Sequence, residues 1–136
     1  MLLRSMLVIA IAATVFAATA AVADDVSGAN QGAAAAPKPH HIVLEKSQPS
    51  LFIDTPLDLR LKTLGVDTLI MTGVATDIGI EFTCRHAAAL GYFSVVIEDA
   101  TGSYSRDAHE RSIAFLRGWT TPVVSAQDAC DLLTAR

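Results

Sequence analysis

Short apolar runs alternate with helix-length segments through the last two thirds of the chain. The clearest run is 68–72 (TLIMT), a continuous apolar stretch of the kind buried on both faces of a parallel sheet. Similar runs occur at 42–45, 94–97 and 122–124. Strands that alternate with helices in this way form βαβ units with right-handed crossovers. The pattern predicts an α/β fold, with a three-layer, Rossmann-like parallel sheet and helices on both faces.

Glycine and capping residues predict where the intervening helices begin and end. Thr55 and Pro56 suit a helix start, and Gly65 follows the last apolar residue of that helix. Thr76 or Asp77 can cap the next helix, which is expected to run to residue 90. Further helices are predicted from residue 105 or 107 to 117, and from 126 to 133.

The first 23 residues resemble an export signal. Arg4 provides a positive start, 7–18 is an apolar region, and Ala21-Val22-Ala23 is a small-x-small cleavage pattern. We expect cleavage before Asp24 and export to the periplasm or the exterior. Two other interpretations stay open: an uncleaved membrane anchor, which is the one case in which a membrane is an expected partner, and a misassigned start codon.

Residues 24–40 are small and polar, with prolines, and this composition predicts a flexible linker. Residues 41–136 are then the folded domain, with ordered structure expected from about His41.

Composition argues against several classes of partner and cofactor. The net charge is −4, and Lys and Arg do not cluster, so nucleic acid is not an expected partner. Cys84 and Cys130 lie in separate predicted helices and are expected to be buried free thiols. No set of metal ligands and no dinucleotide fingerprint is present, so no metal and no cofactor is expected.

Sites in parallel sheets form beyond the carboxyl ends of the strands. The groups at those ends here are Lys46, the segment 73–79 (GVATDIG) and Asp99. A turn that leads from a strand into a helix offers free N–H groups and a positive dipole end, which can hold an oxyanion or a carboxylate. A plain tight turn and a solvated surface lysine remain the alternatives.

Five stretches together resemble the isochorismatase-like (cysteine hydrolase) family over residues 46–119. They are, in chain order, Glu45-Lys46 with Ser50-x-Phe52 and Thr55-x-Leu57; 64–76 (LGVDTLIMTGVAT); 80–92; 95–100 (VVIEDA); and 105–109. The resemblance covers the C-terminal part of the family domain and implies a hydrolase of small molecules.

The resemblance also implies roles for individual residues. Lys46 occupies the position of the family's active-site lysine, and the Val74-Ala75 bond that of a non-proline cis peptide. Val74, Ala75, Thr76 and Ile78 correspond to the turn that faces substrate and oxyanion. Gly79 stands at the position of the nucleophilic cysteine. Glycine has no side chain that can attack a substrate, so the covalent route cannot start from this position.

Two further groups that the reaction could use are not in place. Cys84 is five residues beyond Gly79, which on a helix is about 500° of rotation and about 7.5 Å of rise, so it cannot replace the missing thiol. The family's catalytic aspartate, in an Asp-x-Gln motif after its first strand, has no counterpart. Asp77 is expected to be a helix cap, and Asp99 a turn residue or a structural hydrogen-bonding residue.

The resemblance further implies that the family's first two strands are missing here, which would leave strand 42–45 without its usual neighbours. Three outcomes stay open: strand 42–45 repacks, the chain is a poorly stable remnant, or a partner chain completes the sheet in a homo-oligomer. The last outcome follows from the resemblance, since the family commonly forms dimers or larger assemblies.

Two functions follow as hypotheses. The first is a hydrolase of a small carboxylate, amide or vinyl ether that works without a cysteine nucleophile. The alternative is a non-catalytic exported binding domain, or a truncated remnant of such a hydrolase.

Overall fold

The computed structural model describes residues 5–11, 17–21, 42–119 and 121–134. Within them the chain forms six strands, four α-helices and one π-helical turn. In chain order these are β1 (Ser5–Ile11), β2 (Ala17–Ala21), β3 (Ile42–Glu45), α1 (Leu57–Thr63), β4 (Val66–Val74), the π-helical turn (Thr76–Ile80), α2 (Glu81–Ala89), β5 (Phe93–Gly102), α3 (Arg106–Gly118), β6 (Val123–Val124) and α4 (Ala126–Thr134).

All six strands belong to one sheet with the order β3-β2-β1-β4-β5-β6. Strand β1 is parallel to β4, and β4, β5 and β6 are parallel to one another. Strand β2 is antiparallel to both of its neighbours, β1 and β3. The predicted α/β class and parallel core are confirmed, and β2 is the one reversed strand among those described.

Strands β1 and β2 differ from the expectation that ordered structure begins near His41 and that β3 lacks its neighbours. The segment 5–11 pairs with β4 along its whole length, from Ser5 opposite Val66 to Ile11 opposite Gly73, and β2 pairs with β3. The physical reason is that a short apolar run fits a buried strand as well as a signal sequence. Cleavage before Asp24 stays a prediction, and the proposed linker, 24–40, lies outside the described residues.

The sheet carries helices on both faces, as predicted. One face of β4 presents Leu69 and Met71 to a large core that α1, α2 and α3 complete. The opposite face presents Ile70, which packs with Ile97 and with Ala129 of α4. Alternate residues of β4 therefore enter two different cores, as strand geometry requires. Among the described residues no helix has the length and apolar character needed to cross a bilayer.

Most helix boundaries follow the predicted signals, but α2 begins at Glu81, after the π-helical turn, and not at Thr76 or Asp77. The Thr55 hydroxyl accepts a hydrogen bond from the Leu57 N–H at 3.3 Å, at the start of α1. Gly65 and Gly91, which follow α1 and α2, have φ of 66° and 89°, a conformation that favours glycine. Ser105 caps α3 by accepting a hydrogen bond from the Ala108 N–H at 3.2 Å.

The pairing between β4 and β5 contains a register shift. Met71 lies opposite Val96, but Gly73 lies opposite Thr101, so β5 has extra residues between these two pairs. The extra residues bulge out of the ladder. Beyond them, β5 returns to the side of β4 where the candidate site begins.

Candidate active site

The segments that follow β3, β4 and β5 leave the sheet at the same edge, where the sequence predicts the site. Lys46 follows β3, the π-helical turn follows β4, and Ser103 follows β5. Strands β3 and β4 are separated by β2 and β1, which corresponds to about 14 Å across the sheet at normal strand spacing. The site is therefore a broad edge with the lysine at one end and the turn toward the other.

The turn after β4 is wound more widely than an α-helix. The cis peptide bond expected between Val74 and Ala75 is present. The carbonyl oxygen of Ala75 accepts hydrogen bonds from the N–H groups of Ile78 (3.2 Å) and Ile80 (3.1 Å). Ala75, Thr76 and Gly79 are buried, whereas the Ile78 side chain is 43% exposed. Ile78 can therefore contribute to the rim of the site, and Gly79 lies inside it.

Thr76 is bound to helix α3. Its side chain is fully buried, and its Oγ1 lies 2.8 Å from Nδ1 of His109. This hydrogen bond satisfies a hydroxyl that burial would otherwise leave without a partner. The first residue of the turn is thus held by a helix that begins four residues beyond the end of β5.

Asp77 is not the helix cap that the sequence suggested. Its carboxylate accepts a hydrogen bond from the Ser103 hydroxyl at 2.6 Å, and its own N–H donates to Ser103 Oγ at 3.3 Å. No side-chain cap hydrogen bond is present at Ala75, the residue that precedes the turn. The Asp77 side chain serves instead as a second tie between the turn and the segment after β5.

Lys46 is half-buried and folds back over its own loop. Its ammonium group donates hydrogen bonds to the carbonyl oxygens of Gln48 (3.1 Å) and Pro49 (2.8 Å). Burial lowers the pKa of Lys46 below its ordinary value of 10.5, because it disfavours the charged form. The loop thus presents a cation that has lost part of its hydration and can interact strongly with a negative charge.

The structure has no functional side chain at the position where the resemblance places the family's nucleophile. Gly79 is buried in the turn, and Cys84 lies in α2 with 1% of its surface exposed. Burial raises the pKa of the Cys84 thiol to about 12. Cys84 is therefore a protonated core residue, and the expectation of a buried free thiol is confirmed for it. The same expectation is wrong for Cys130, which is partly exposed.

Asp99 is a structural residue. It is exposed, and its carboxylate accepts a hydrogen bond from the Ala126 N–H at 2.8 Å, at the start of α4. A carboxylate in this place stabilises the helix start. Strand β1, which lies beside β4, is followed in the sequence by Ala-Ala-Thr-Val-Phe, a stretch without a carboxyl group.

Sequence reasoning missed Ser103 and gave His109 and His86 no role. Their partners are far away in the chain, 26 residues for Ser103 and 33 for His109. A buried threonine at a strand end needs a hydrogen-bond partner, and this need was the one signal in the sequence that could have pointed to His109. Among the described residues, no group of three or more His, Cys, Asp or Glu side chains is arranged to hold a metal ion.

Comparison with known proteins agrees with this geometry. The isochorismatase domain matches residues 7–128, which include most of β1 and every later described element up to the start of α4. The chain belongs to the isochorismatase family. The match begins within the stretch that the sequence suggested as an export signal.

Three relatives show how far the similarity extends. The uncharacterized isochorismatase family protein YwoC of Bacillus subtilis is 42% identical over 71 residues, 52% of this chain and 38% of its own length. The ureidoacrylate amidohydrolase RutB of an Enterobacter species is 38% identical over 102 residues, 72% of this chain and 43% of its own length. The crystal structure of an isochorismatase family protein from Desulfovibrio vulgaris superposes with a TM-score of 0.70 at 32% identity, over 77% of this chain and 55% of that one. The chain thus spans about half the length of these relatives, or less.

Proposed function

We propose that this chain is a hydrolase of the isochorismatase family that binds a small carboxylate, amide or vinyl ether and uses no cysteine nucleophile. The observation that carries the proposal is that a half-buried Lys46 and a π-helical turn held at both Thr76 and Asp77 leave the same edge of the sheet. A preorganised cation and backbone N–H groups are the means by which protein sites stabilise a developing oxyanion.

The absence of a thiol at Gly79 determines the route available for amide hydrolysis. Water replaces the cysteine as nucleophile: its oxygen forms the new bond to the carbonyl carbon, the C–N bond breaks, and the protons of the water pass to the acid and amine products. Lys46 would stabilise the negative charge on the carbonyl oxygen while the tetrahedral intermediate exists. This route needs no covalent intermediate.

A second candidate function is binding without turnover. Gly79 and the stretch without a carboxyl group after β1 favour it, because the chain then lacks both the nucleophile and the acid of its family. In that case the lysine and the turn form an anion-binding site alone. Export and oligomer formation remain predictions for either function.

The experiment that separates the two functions uses the full chain. Ureidoacrylate, benzamide and isochorismate represent an ureido amide, an aromatic primary amide and a vinyl ether, with product formation followed by NMR. Binding of benzoate is measured by calorimetry in the wild type, in Lys46→Met, and in Lys62→Met as a control at an exposed lysine of α1.

The hydrolase proposal expects turnover of at least one compound, and a loss of about tenfold or more in turnover and benzoate affinity in Lys46→Met alone. Benzoate binding without turnover would overturn hydrolysis and support the binding function. If amides were hydrolysed only by the Gly79→Cys variant, that result would also overturn hydrolysis by the natural chain and support the binding function. Wild-type affinity and turnover in Lys46→Met would overturn the role of Lys46 in both.

A further inference from the structure

The loop that carries Lys46, residues 46–56, makes specific hydrogen bonds to helix α2. The Leu51 N–H donates to Thr83 Oγ1 at 3.1 Å, and Ser50 Oγ lies 3.0 Å from His86 Nδ1. Leu51 and Thr83 have no exposed surface, and Ser50 is 2% exposed. The Leu51–Thr83 hydrogen bond therefore lies in the interior, where an unpaired group is costly and the geometry is well defined. The Ser50–His86 contact is partly buried.

The two helix residues lie on one face of α2. Thr83 and His86 are three positions apart, a spacing that places side chains next to each other on a helix. The Phe52 ring packs against the His86 ring with centroids 5.3 Å apart, and Phe52 also stacks on Tyr92 at 5.6 Å. Three consecutive loop residues, Ser50, Leu51 and Phe52, thus contact two residues that are neighbours on one face of the helix.

Helix α2 is continuous with the turn that contains Gly79. Thr83 is four residues beyond Gly79, about 6 Å along a helix of normal rise. On the loop side, the carbonyl of Pro49 accepts the Lys46 ammonium hydrogen bond, and Ser50 is the next residue. Lys46 is thus connected to helix α2 through its hydrogen bond to Pro49, the peptide bond to Ser50, and the contact between Ser50 and His86.

We propose that Thr83 and His86 are positioning residues that hold the lysine loop on helix α2 and so set the position of the Lys46 ammonium relative to the turn at 74–79. The inference rests on the proposed function, since it concerns the same site. It assigns these two residues no contact with substrate. It predicts that loosening the loop exposes Lys46 to water while the rest of the fold is retained.

The direct readout is the titration of Lys46 in the full chain. The sequence contains three lysines, at positions 38, 46 and 62, so the ¹³Cε signal of each is assignable by substitution and can be followed against pH. Thr83→Val removes the acceptor for the Leu51 N–H, and Thr83→Ser retains it. Thr121→Val is the matched control, because Thr121 is also a buried threonine but precedes β6 at the far edge of the sheet.

The expected result is a Lys46 pKa that moves toward 10.5 in Thr83→Val, together with benzoate binding weakened about threefold or more. Thr83→Ser restores both properties, and Thr121→Val changes neither. His86→Phe keeps a ring against Phe52 but removes the nitrogen that contacts Ser50. It is expected to shift the Lys46 titration in the same direction, which provides a test if Thr83→Val does not fold.

A folded Thr83→Val or His86→Phe with the wild-type Lys46 titration would overturn the inference. A shift of equal size in Thr121→Val would overturn it too, because the effect would then be a general loss of packing. The outcome is separate from that of the proposed function: if Lys46→Met leaves turnover and binding intact, the function fails, while the titration still tests whether α2 positions the loop.

Discussion

Thr76 Oγ1 and His109 Nδ1 lie 2.8 Å apart and join the first residue of the π-helical turn to helix α3. The two residues are 33 positions apart in the chain, and the threonine side chain is fully buried. The conformation of the turn therefore depends on the helix packed beside it as well as on its own sequence.

His109→Leu is expected to lower the free energy of unfolding by about 1–3 kcal/mol, because it leaves the buried Thr76 hydroxyl without its partner. Urea denaturation followed by circular dichroism measures the change. Arg111→Ala, at an exposed position of the same helix, is the control and should stay within about 0.5 kcal/mol of the wild type. In a double-mutant cycle with Thr76→Val, strictly additive losses would contradict a direct interaction.

Cys84 is expected to resist alkylation at pH 8, whereas Cys130 reacts. With a pKa of about 12, only about one Cys84 thiol in ten thousand is ionised at that pH, and the group is also buried. Cys130 lies partly exposed on α4. Mass spectrometry of peptides after timed treatment with iodoacetamide measures both rates, and equal rates in the native protein would contradict the prediction.

The raised pKa of Tyr92 leads us to expect a loss of folding stability in strong alkali. Burial and the hydrogen bond to Asp58 (2.8 Å) raise the pKa of Tyr92 from 10.0 to about 12. The folded protein therefore retains a proton that the unfolded chain releases, so this contribution is complete below pH 10 and is lost as the pH rises from 10 to 12.

Tyr92→Phe should remove that pH dependence and lower the stability at neutral pH by about 1 kcal/mol. Urea midpoints between pH 7 and pH 12 measure both effects. The matched control is Tyr104→Phe, since Tyr104 is 86% exposed. A Tyr92→Phe variant that follows the wild-type stability curve through this range would rule out the assignment.

Removal of residues 1–23 is expected to prevent cooperative folding. The deletion removes β1 and β2, so β4 loses one of its two parallel neighbours, and β3 loses the strand with which it pairs in the described part of the sheet. Two newly unpaired edges also favour aggregation. Circular dichroism and size-exclusion chromatography of residues 24–136 against the full chain test this expectation. A soluble fragment with a wild-type unfolding transition would show that the first two strands are dispensable.

The later part of the fold was predictable because apolar runs and glycines coincide there. The apolar run of β4 and the glycines after α1 and α2 identify their elements within a few residues. The N-terminal segment was harder, since the run around Leu7 to Ile11 has the length and composition of either a buried strand or a signal sequence. In the structure this segment pairs with β4, and its removal as a signal sequence stays a prediction.

In the candidate site, too, features set by neighbouring residues could be predicted from the sequence, whereas contacts between distant residues could not. Lys46 and the turn were found from residues close together in the chain. The partners of Thr76, Asp77 and Ser50 are 26 to 36 positions away, so their identity depends on which helices and loops pack together. Asp77 illustrates the conflict: local rules favour a helix cap, but the Ser103 hydroxyl provides a better partner.

Because of the register shift, β5 and the residue after it contact helices α3 and α4 at one point and the π-helical turn at another. Its bulged residues Glu98 and Asp99 contact Arg117 of α3 and the start of α4, while Ser103, after the ladder resumes, holds Asp77. Removing a single residue from the bulge would retract the following chain by about 3.3 Å and turn each later side chain to the opposite face. The length of this segment, more than its composition, is therefore what keeps the turn in register, and insertions or deletions there should be tolerated far less well than substitutions.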